Sequence, residues 1–181
     1  MLILVTGGSR SGKSSFALET AARFEAPRVF LATAEPHDEE MRLRIEAHQK
    51  ARPAGWSLVE EPITVPEALR AALPGAGVVV VDCVTIWISN LLLADPGFGE
   101  AAAAEQAREL AEAAGKTRAG VIVVTNEVGS GVVPDNELAR RFRDCAGRAN
   151  QVLARSAREV HFMVSGIAVA LRKGRRGHEH A

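Results

Sequence analysis

The stretch Gly7-Gly8-Ser9-Arg10-Ser11-Gly12-Lys13-Ser14 determines how the rest of the chain is interpreted. It matches the phosphate-loop pattern G-x-x-x-x-G-K-[ST] in full, with an apolar run before it and a predicted helix after it. Glycines let backbone N–H groups curl around phosphate oxygens, and the helix directs its positive end at the anion. The pattern predicts a nucleotide site in which Lys13 reaches the β- and γ-phosphates and the Ser14 hydroxyl ligates Mg²⁺.

Asp82 is the predicted second half of this site, because it ends the apolar run Val78–Asp82. A carboxylate at the end of a buried strand next to a phosphate loop usually meets the Mg²⁺ shell, often through water. Asp82 is also suited to cap the helix that follows, and the two roles are compatible.

Apolar runs rich in Val, Ile and Leu, without alternation, are typical of strands covered on both faces. We therefore predict strands over Leu2–Thr6, Arg28–Thr33, Val78–Asp82, Val121–Thr125 and Val160–Ser165. Helices are predicted between them, over Ser14–Phe24, Glu39–Ala51, Pro66–Leu73, Ile86–Leu93, Glu100–Ala114 and Glu137–Ala157. This alternation predicts an α/β fold of the RecA-like P-loop class, a mostly parallel sheet with helices on both faces.

The chain is predicted to form one catalytic domain over residues 1–171, followed by a basic, mobile tail over 172–181. The loop Gly129–Asp135 follows a strand end and is a candidate wall of the site, because ligands of open α/β sheets lie beyond the carboxyl ends of strands.

Composition excludes several classes of protein. Lys plus Arg and Asp plus Glu number 22 each, which argues against a protein built to coat nucleic acid, and aromatic residues make up only 4%. No apolar run approaches the roughly 20 residues of a membrane span, and the first residues do not resemble a signal peptide. Cys83 and Cys145 are expected to be reduced thiols, which favours a cytoplasmic protein.

The stretch Thr125-Asn126-Glu127-Val128 lacks the Lys and Asp of a guanine-reading N-K-x-D motif, so a signalling GTPase is disfavoured. Transfer of a phosphoryl group to a small molecule fits a compact P-loop domain better. Two alternatives stay open: a single-function kinase of a small alcohol, and a regulatory nucleotide-binding module without turnover.

His48 lies between Arg44 and Arg52 at i, i+4 and i+8 spacing on the predicted helix. The two guanidinium groups should lower the imidazole pKa and so favour the neutral, nucleophilic form. The pattern alone fits an ordinary packing histidine better, and the same interpretation is given to His37 and His161.

The chain resembles the bifunctional adenosylcobinamide kinase/adenosylcobinamide-phosphate guanylyltransferases of cobalamin biosynthesis, from Leu2 to about Ala168. The matching stretches are residues 3–14, Asp38–Met41, Arg44-Ile45 with His48, Arg52-Pro53, Thr125–Pro134, Arg141–Asp144, Gly147–Gln151 and Val164–Gly166.

The resemblance implies that ATP or GTP phosphorylates the aminopropanol hydroxyl of adenosylcobinamide, and that GTP then donates GMP to the resulting phosphate. It implies that His48 carries the guanylyl group and that the enzyme is a homotrimer. The base of the kinase step is left open between Asp82 and Glu127. The implied nucleotide contacts are Gly7, Gly8, Ser9, Arg10, Ser11, Gly12, Lys13, Ser14, Ala32, Thr33, Ala34, Gln49, Lys50, Ala51, Arg52, Glu60 and Asp82.

Overall fold

The computed structural model describes residues 1–36, 39, 42, 43 and 54–174. A seven-stranded sheet forms its centre, with strands β1 (Leu2–Gly7), β2 (Arg28–Ala32), β3 (Trp56–Glu60), β4 (Val78–Asp82), β5 (Gly120–Val124), β6 (Glu159–Val164) and β7 (Ile167–Arg172). The helices in the described ranges are α1 (Lys13–Ala21), α2 (Val65–Ala72), α3 (Val84–Ala94), α4 (Glu100–Gly115) and α5 (Glu137–Ser156).

The strand order is β3-β2-β4-β5-β1-β6-β7. All neighbouring pairs are parallel except β6 and β7, which are antiparallel. The predicted α/β fold with a mostly parallel sheet is confirmed, and each of the five predicted strands is present. Strands β3 and β7 were not predicted, and the helix predicted over Glu39–Ala51 falls largely outside the described residues.

Two apolar layers cover the sheet because successive side chains of a strand point to opposite faces. Leu2 and Leu4 of β1 belong to the cluster that includes side chains of α2, α4 and α5, such as Leu69 and Leu110. Ile3 and Val5 belong to the opposite cluster, which includes Ala17 of α1. Helices therefore lie on both faces, which explains why the central strands are apolar without alternation.

The hairpin between β6 and β7 supports the phosphate loop. Its turn is Ser165-Gly166, with φ of 50° and 83°. The Gly166 N–H donates to the Ser11 carbonyl at 3.0 Å, so the turn holds the loop from one side.

Arg172, the first residue of the predicted tail, is hydrogen-bonded to the end of α5. Arg172 is the last residue of β7, and its guanidinium donates to the carbonyls of Ala154 at 2.6 Å and Ala157 at 2.8 Å, at the end of α5. These contacts place Arg172 within the folded domain.

Strands β1 to β5 end at one edge of the sheet because they run parallel. Ala32 is in register with both Glu60 and Asp82, and Val124 is in register with both Asp82 and Val5. The phosphate loop, Asp82 and the segment after β5 therefore meet at this edge. Among the described residues, no helix is long and apolar enough to cross a membrane.

Candidate active site

The phosphate loop connects β1 to α1 and depends on two glycines with positive φ. Gly12, with φ of 92°, is the N-cap of α1, and Gly7 has φ of 148°. Lys13 is buried, and its ammonium donates to the Gly8 carbonyl at 2.5 Å and the Ser11 hydroxyl at 3.4 Å. Burial lowers the pKa of Lys13, while the nearby Asp82 carboxylate acts in the opposite direction. The ammonium thus sits inside the loop, where an anion can replace these partners.

Ser14 links the loop to β4. Its hydroxyl donates to Oδ2 of Asp82 at 2.7 Å, across 68 positions of sequence. A hydroxyl and a carboxylate are the hard oxygen donors that suit Mg²⁺, which keeps several water and phosphate ligands and needs few from the protein. No cluster of three or more His, Cys, Asp or Glu side chains is placed to hold a metal ion within the described ranges. Ser14 and Asp82 are therefore the side chains that fit a metal here.

Thr33 fastens the end of β2 to the start of α3. Its hydroxyl accepts from the Cys83 N–H at 2.8 Å and donates to the Cys83 carbonyl at 2.9 Å. Asn90 donates to the Thr33 carbonyl at 2.8 Å. The Thr33 hydroxyl, N–H and carbonyl are thus all hydrogen-bonded within the protein, since the N–H also donates to the Asp82 carbonyl at 3.1 Å.

Three polar side chains that the sequence reasoning missed contact one another just after the ends of β4 and β5. The Asn126 side-chain N–H donates to the Thr85 hydroxyl at 2.6 Å, and this hydroxyl lies 3.2 Å from the Cys83 sulfur. Burial raises the pKa of the Cys83 thiol to about 11, so it is protonated at neutral pH. The available signal was positional, since all three follow the apolar strands β4 and β5 within three residues.

The loop predicted as a wall of the site starts beside the phosphate loop. The Glu127 N–H donates to the Gly7 carbonyl at 3.1 Å, and the Glu127 carboxylate accepts from the Gly129 N–H at 2.9 Å. Arg140 of α5 donates to the carbonyls of Pro134 and Asp135. The loop is therefore attached at both ends, and Val132 between them is 95% exposed.

Other predicted site residues are more distant or are not described. Glu60 is exposed at the end of β3, four strand spacings from β1, which is about 19 Å at roughly 4.8 Å per spacing. His161 packs against Phe16 with ring centroids 5.0 Å apart, in line with the prediction for it. The residues outside the described ranges are His37, His48, Gln49, Lys50, Ala51 and Arg52.

Comparison with known proteins identifies relatives over most of the chain. The family model described as cobinamide kinase / cobinamide phosphate guanyltransferase matches residues 3–171. The bifunctional adenosylcobalamin biosynthesis protein CobU of Escherichia coli (strain K12) is 43% identical over 182 residues, which cover 95% of this chain and 100% of that protein. The bifunctional adenosylcobalamin biosynthesis protein CobP of Pseudomonas aeruginosa is 39% identical over 170 residues, which cover 93% of this chain and 96% of that protein.

A solved structure supports the fold alone. An ATPase from the type III secretion system of pathogenic bacteria superposes with a TM-score of 0.56 at 13% identity. The match covers 93% of this chain and 56% of that one. At this identity the likeness extends to the α/β fold and to nothing finer.

Proposed function

The chain belongs to the cobinamide kinase / cobinamide phosphate guanyltransferase family, and from this premise we propose how one nucleotide site performs both transfers. The protein is a transferase that phosphorylates cobinamide and guanylylates the phosphate so formed. The observation that carries the proposal is the hydrogen bond from Ser14 to Asp82. It brings the end of the phosphate loop into contact with the carboxylate at the end of β4.

In the kinase step, the aminopropanol hydroxyl of adenosylcobinamide attacks the γ-phosphorus of ATP or GTP. A bond forms between the acceptor oxygen and the phosphorus, and the bond to the β,γ-bridging oxygen breaks, which releases the nucleoside diphosphate. Lys13 and the loop N–H groups neutralise the charge that develops on the phosphate oxygens. Such transfer passes through a loose transition state, so positioning and charge neutralisation supply most of the catalysis.

Ser14 and Asp82 are the residues that would hold Mg²⁺. The bound cation supplies neutralisation of phosphate charge and a fixed orientation of the triphosphate. The position of Asp82 at the end of β4, bonded to the second residue of α1, supports this assignment. Because Asp82 is engaged in this way, it is less suited to act as a base, and transfer through a loose transition state does not require one.

In the transferase step, the neutral His48 imidazole attacks the α-phosphorus of GTP. A P–N bond forms, the bond to the bridging oxygen breaks, and pyrophosphate leaves. The phosphate of adenosylcobinamide phosphate then attacks the guanylyl group and releases His48, giving adenosylcobinamide-GDP. Two displacements in line retain the configuration at phosphorus and let a single nucleotide site serve both partners in turn. Arg52 is proposed as a further phosphate clamp.

The remaining nucleotide contacts follow the edge of the sheet. Ala32 is in register with Asp82 on one side and with Glu60 on the other. Asp82, Ala32 and Glu60 therefore lie in a line along the edge of the sheet, with Glu60 farthest from the phosphate loop. We assign Ala32–Ala34 and Glu60 to the nucleoside end, and Gln49, Lys50 and Ala51 to the same nucleotide by the family match. The distance of about 19 Å between Glu60 and β1 supports this division.

We also propose that the enzyme acts in the cytoplasm as a homotrimer and binds neither nucleic acid nor a membrane. Both cysteines are buried and free, which suits a reducing compartment. Ile167 and Leu171 on β7 are 68% and 63% exposed, an apolar face that assembly would cover.

The test of the covalent step is retention of label on the polypeptide. The protein is incubated with Mg²⁺ and GTP labelled at the α-phosphate, denatured, and examined for label that is acid-labile and alkali-stable. We expect label on the parent and on the matched control His37→Ala, and none on His48→Ala or when the γ-phosphate is labelled. Label retained by His48→Ala would exclude this carrier, and no label on any form would favour a single-function kinase.

A further inference from the structure

Asn126 has no part in the mechanism above, although it begins the most distinctive loop of the chain. We propose that its side-chain oxygen accepts a hydrogen bond from the acceptor hydroxyl of cobinamide and positions that hydroxyl for phosphorylation. The inference rests on the proposed function, since it assigns a residue to the kinase step. It makes Asn126 specific to one of the two transfers.

Asn126 lies between the two halves of the nucleotide site. Strand β5 separates β1 from β4 in the sheet, and Asn126 follows the end of β5 by two residues. On one side, the next residue, Glu127, donates its N–H to the Gly7 carbonyl of the phosphate loop at 3.1 Å. On the other side, the Asn126 side chain donates to Thr85, three residues after Asp82. Asn126 and its neighbour Glu127 are therefore hydrogen-bonded to both halves of the site, the segment after Asp82 and the start of the phosphate loop.

The main chain around Asn126 is fixed from behind. Asn150 of α5 accepts a hydrogen bond from the Thr125 hydroxyl at 2.7 Å and donates to the Asn126 carbonyl at 3.1 Å. The Thr125 N–H donates to the Val5 carbonyl of β1 at 3.0 Å. Because strand and helix hold the backbone together, the carboxamide of Asn126 has a defined position before substrate binds.

The hydrogen bonds also define which end of the carboxamide is available. The Asn126 nitrogen donates to the Thr85 hydroxyl at 2.6 Å. The Thr85 hydroxyl also lies 3.2 Å from the Cys83 sulfur, and either atom of this pair can donate. This arrangement leaves the Asn126 oxygen as an acceptor, with no partner among residues 1–36, 39, 42, 43 and 54–174. An amide oxygen at such a position binds a hydroxyl donor.

An uncharged acceptor suits the kinase step. The acceptor oxygen bonds to the γ-phosphorus as the bridging P–O bond breaks, and its proton passes to the transferred phosphoryl group and then to water. A loose transition state requires orientation of the attacking oxygen more than a strong base. A carboxamide provides that orientation without placing a negative charge beside the phosphates.

The second transfer makes no use of this oxygen. Its acceptor is a phosphate, which presents oxygens and carries mostly no proton to donate at neutral pH and above. Asn126 is therefore expected to assist the transfer to a hydroxyl and to leave the transfer to a phosphate nearly unchanged. A structural role would weaken both equally.

The experiment measures the two transfers separately for Asn126→Ala. With ATP and adenosylcobinamide, kcat/KM for the acceptor should fall about tenfold, the effect of one lost hydrogen bond, while nucleotide affinity stays within about twofold. With GTP and purified adenosylcobinamide phosphate, guanylyl transfer should also stay within about twofold. The matched control is Asn136→Ala, which removes an asparagine that caps α5 and should leave both transfers unchanged.

Thr85→Val provides a second variant of the same shape as the parent side chain. It removes the hydrogen bond to the Asn126 nitrogen, so kcat/KM of the kinase reaction should fall, by a smaller factor than in Asn126→Ala. Equal losses in both transfers, or an unchanged kinase step in Asn126→Ala, would overturn the inference. A parent protein that does not phosphorylate adenosylcobinamide would instead contradict the proposed function.

Discussion

Replacement of Gly7 by alanine tests the geometry of the phosphate loop. A Cβ at this position would overlap the Met163 carbonyl oxygen of β6 and would lie 3.0 Å from the Ser11 hydroxyl and 3.1 Å from the Met163 Cβ. The φ of 148° is also one that side chains rarely adopt. Strain of about 1–3 kcal/mol and overpacking of about 1–3 kcal/mol sum to about 2–6 kcal/mol of lost stability.

Gly8→Ala is the matched control in the same loop. Its Cβ would meet no atom within 4 Å, and its φ lies outside the left-handed region. Urea denaturation should therefore give a free energy of unfolding about 2–6 kcal/mol lower for Gly7→Ala than for Gly8→Ala. At about 2–4 °C per kcal/mol for a chain of this size, Tm should differ by about 4–24 °C.

Nucleotide affinity should follow the same order. The Gly7 carbonyl accepts from the Glu127 N–H, so moving Gly7 displaces both the loop and the segment after β5. Gly7→Ala should lose measurable binding of a fluorescent GTP analogue, and Gly8→Ala should lose less. If the two variants agreed within about 0.5 kcal/mol in stability and bound nucleotide equally, the close approach of β6 to the loop would be wrong.

Two further substitutions test other parts of the site edge. Asp82→Asn removes the charge that Ser14 contacts, so nucleotide affinity measured in Mg²⁺ should fall about 10–100-fold, while affinity measured in EDTA should change little. The control is Asp144→Asn, which changes an exposed aspartate. An equal loss of affinity in EDTA would contradict a metal role for Asp82. The second substitution is at Glu61. Burial of this carboxylate raises its pKa, but hydrogen bonds from the Ile63 and Thr64 N–H groups lower it by more, so the pKa of Glu61 lies below its usual value. Because the folded pKa is depressed, this stabilisation is complete above the unfolded value of about 4.5 and is lost as pH falls through the folded pKa. Glu61→Gln should therefore show a smaller loss of stability on acidification than the parent, and identical acid titrations by circular dichroism would refute this.

The central strands could be predicted because their burial imposes a simple composition. Val78–Asp82 and Val121–Val124 are covered on both faces, so continuous apolar sequence was sufficient to identify them. Strand β3 is largely exposed and β7 almost entirely so, and each exists by pairing with a neighbour. Strand β3 mixes polar and apolar residues and so gives a weak signal, whereas β7 is apolar over Ile167–Leu171 although it is exposed, so burial does not explain its composition.

The phosphate loop could be predicted because its chemistry depends on residues adjacent in sequence. The cluster of Cys83, Thr85 and Asn126 could not, because its contacts cross from one strand end to another. The role of Thr33 was likewise hidden, since its hydroxyl is satisfied by a residue 50 positions away. Spacing identifies local motifs, whereas the order of strands in the sheet decides which polar residues meet.

The most direct test of the account follows the corrinoid through both transfers. The purified protein is given adenosylcobinamide, Mg²⁺ and GTP, and the products are separated and weighed by mass spectrometry over time. We expect adenosylcobinamide phosphate to appear first and adenosylcobinamide-GDP then to accumulate with release of pyrophosphate. Accumulation of the phosphate alone, with no GDP derivative at any time, would contradict the claim that one nucleotide site performs both reactions.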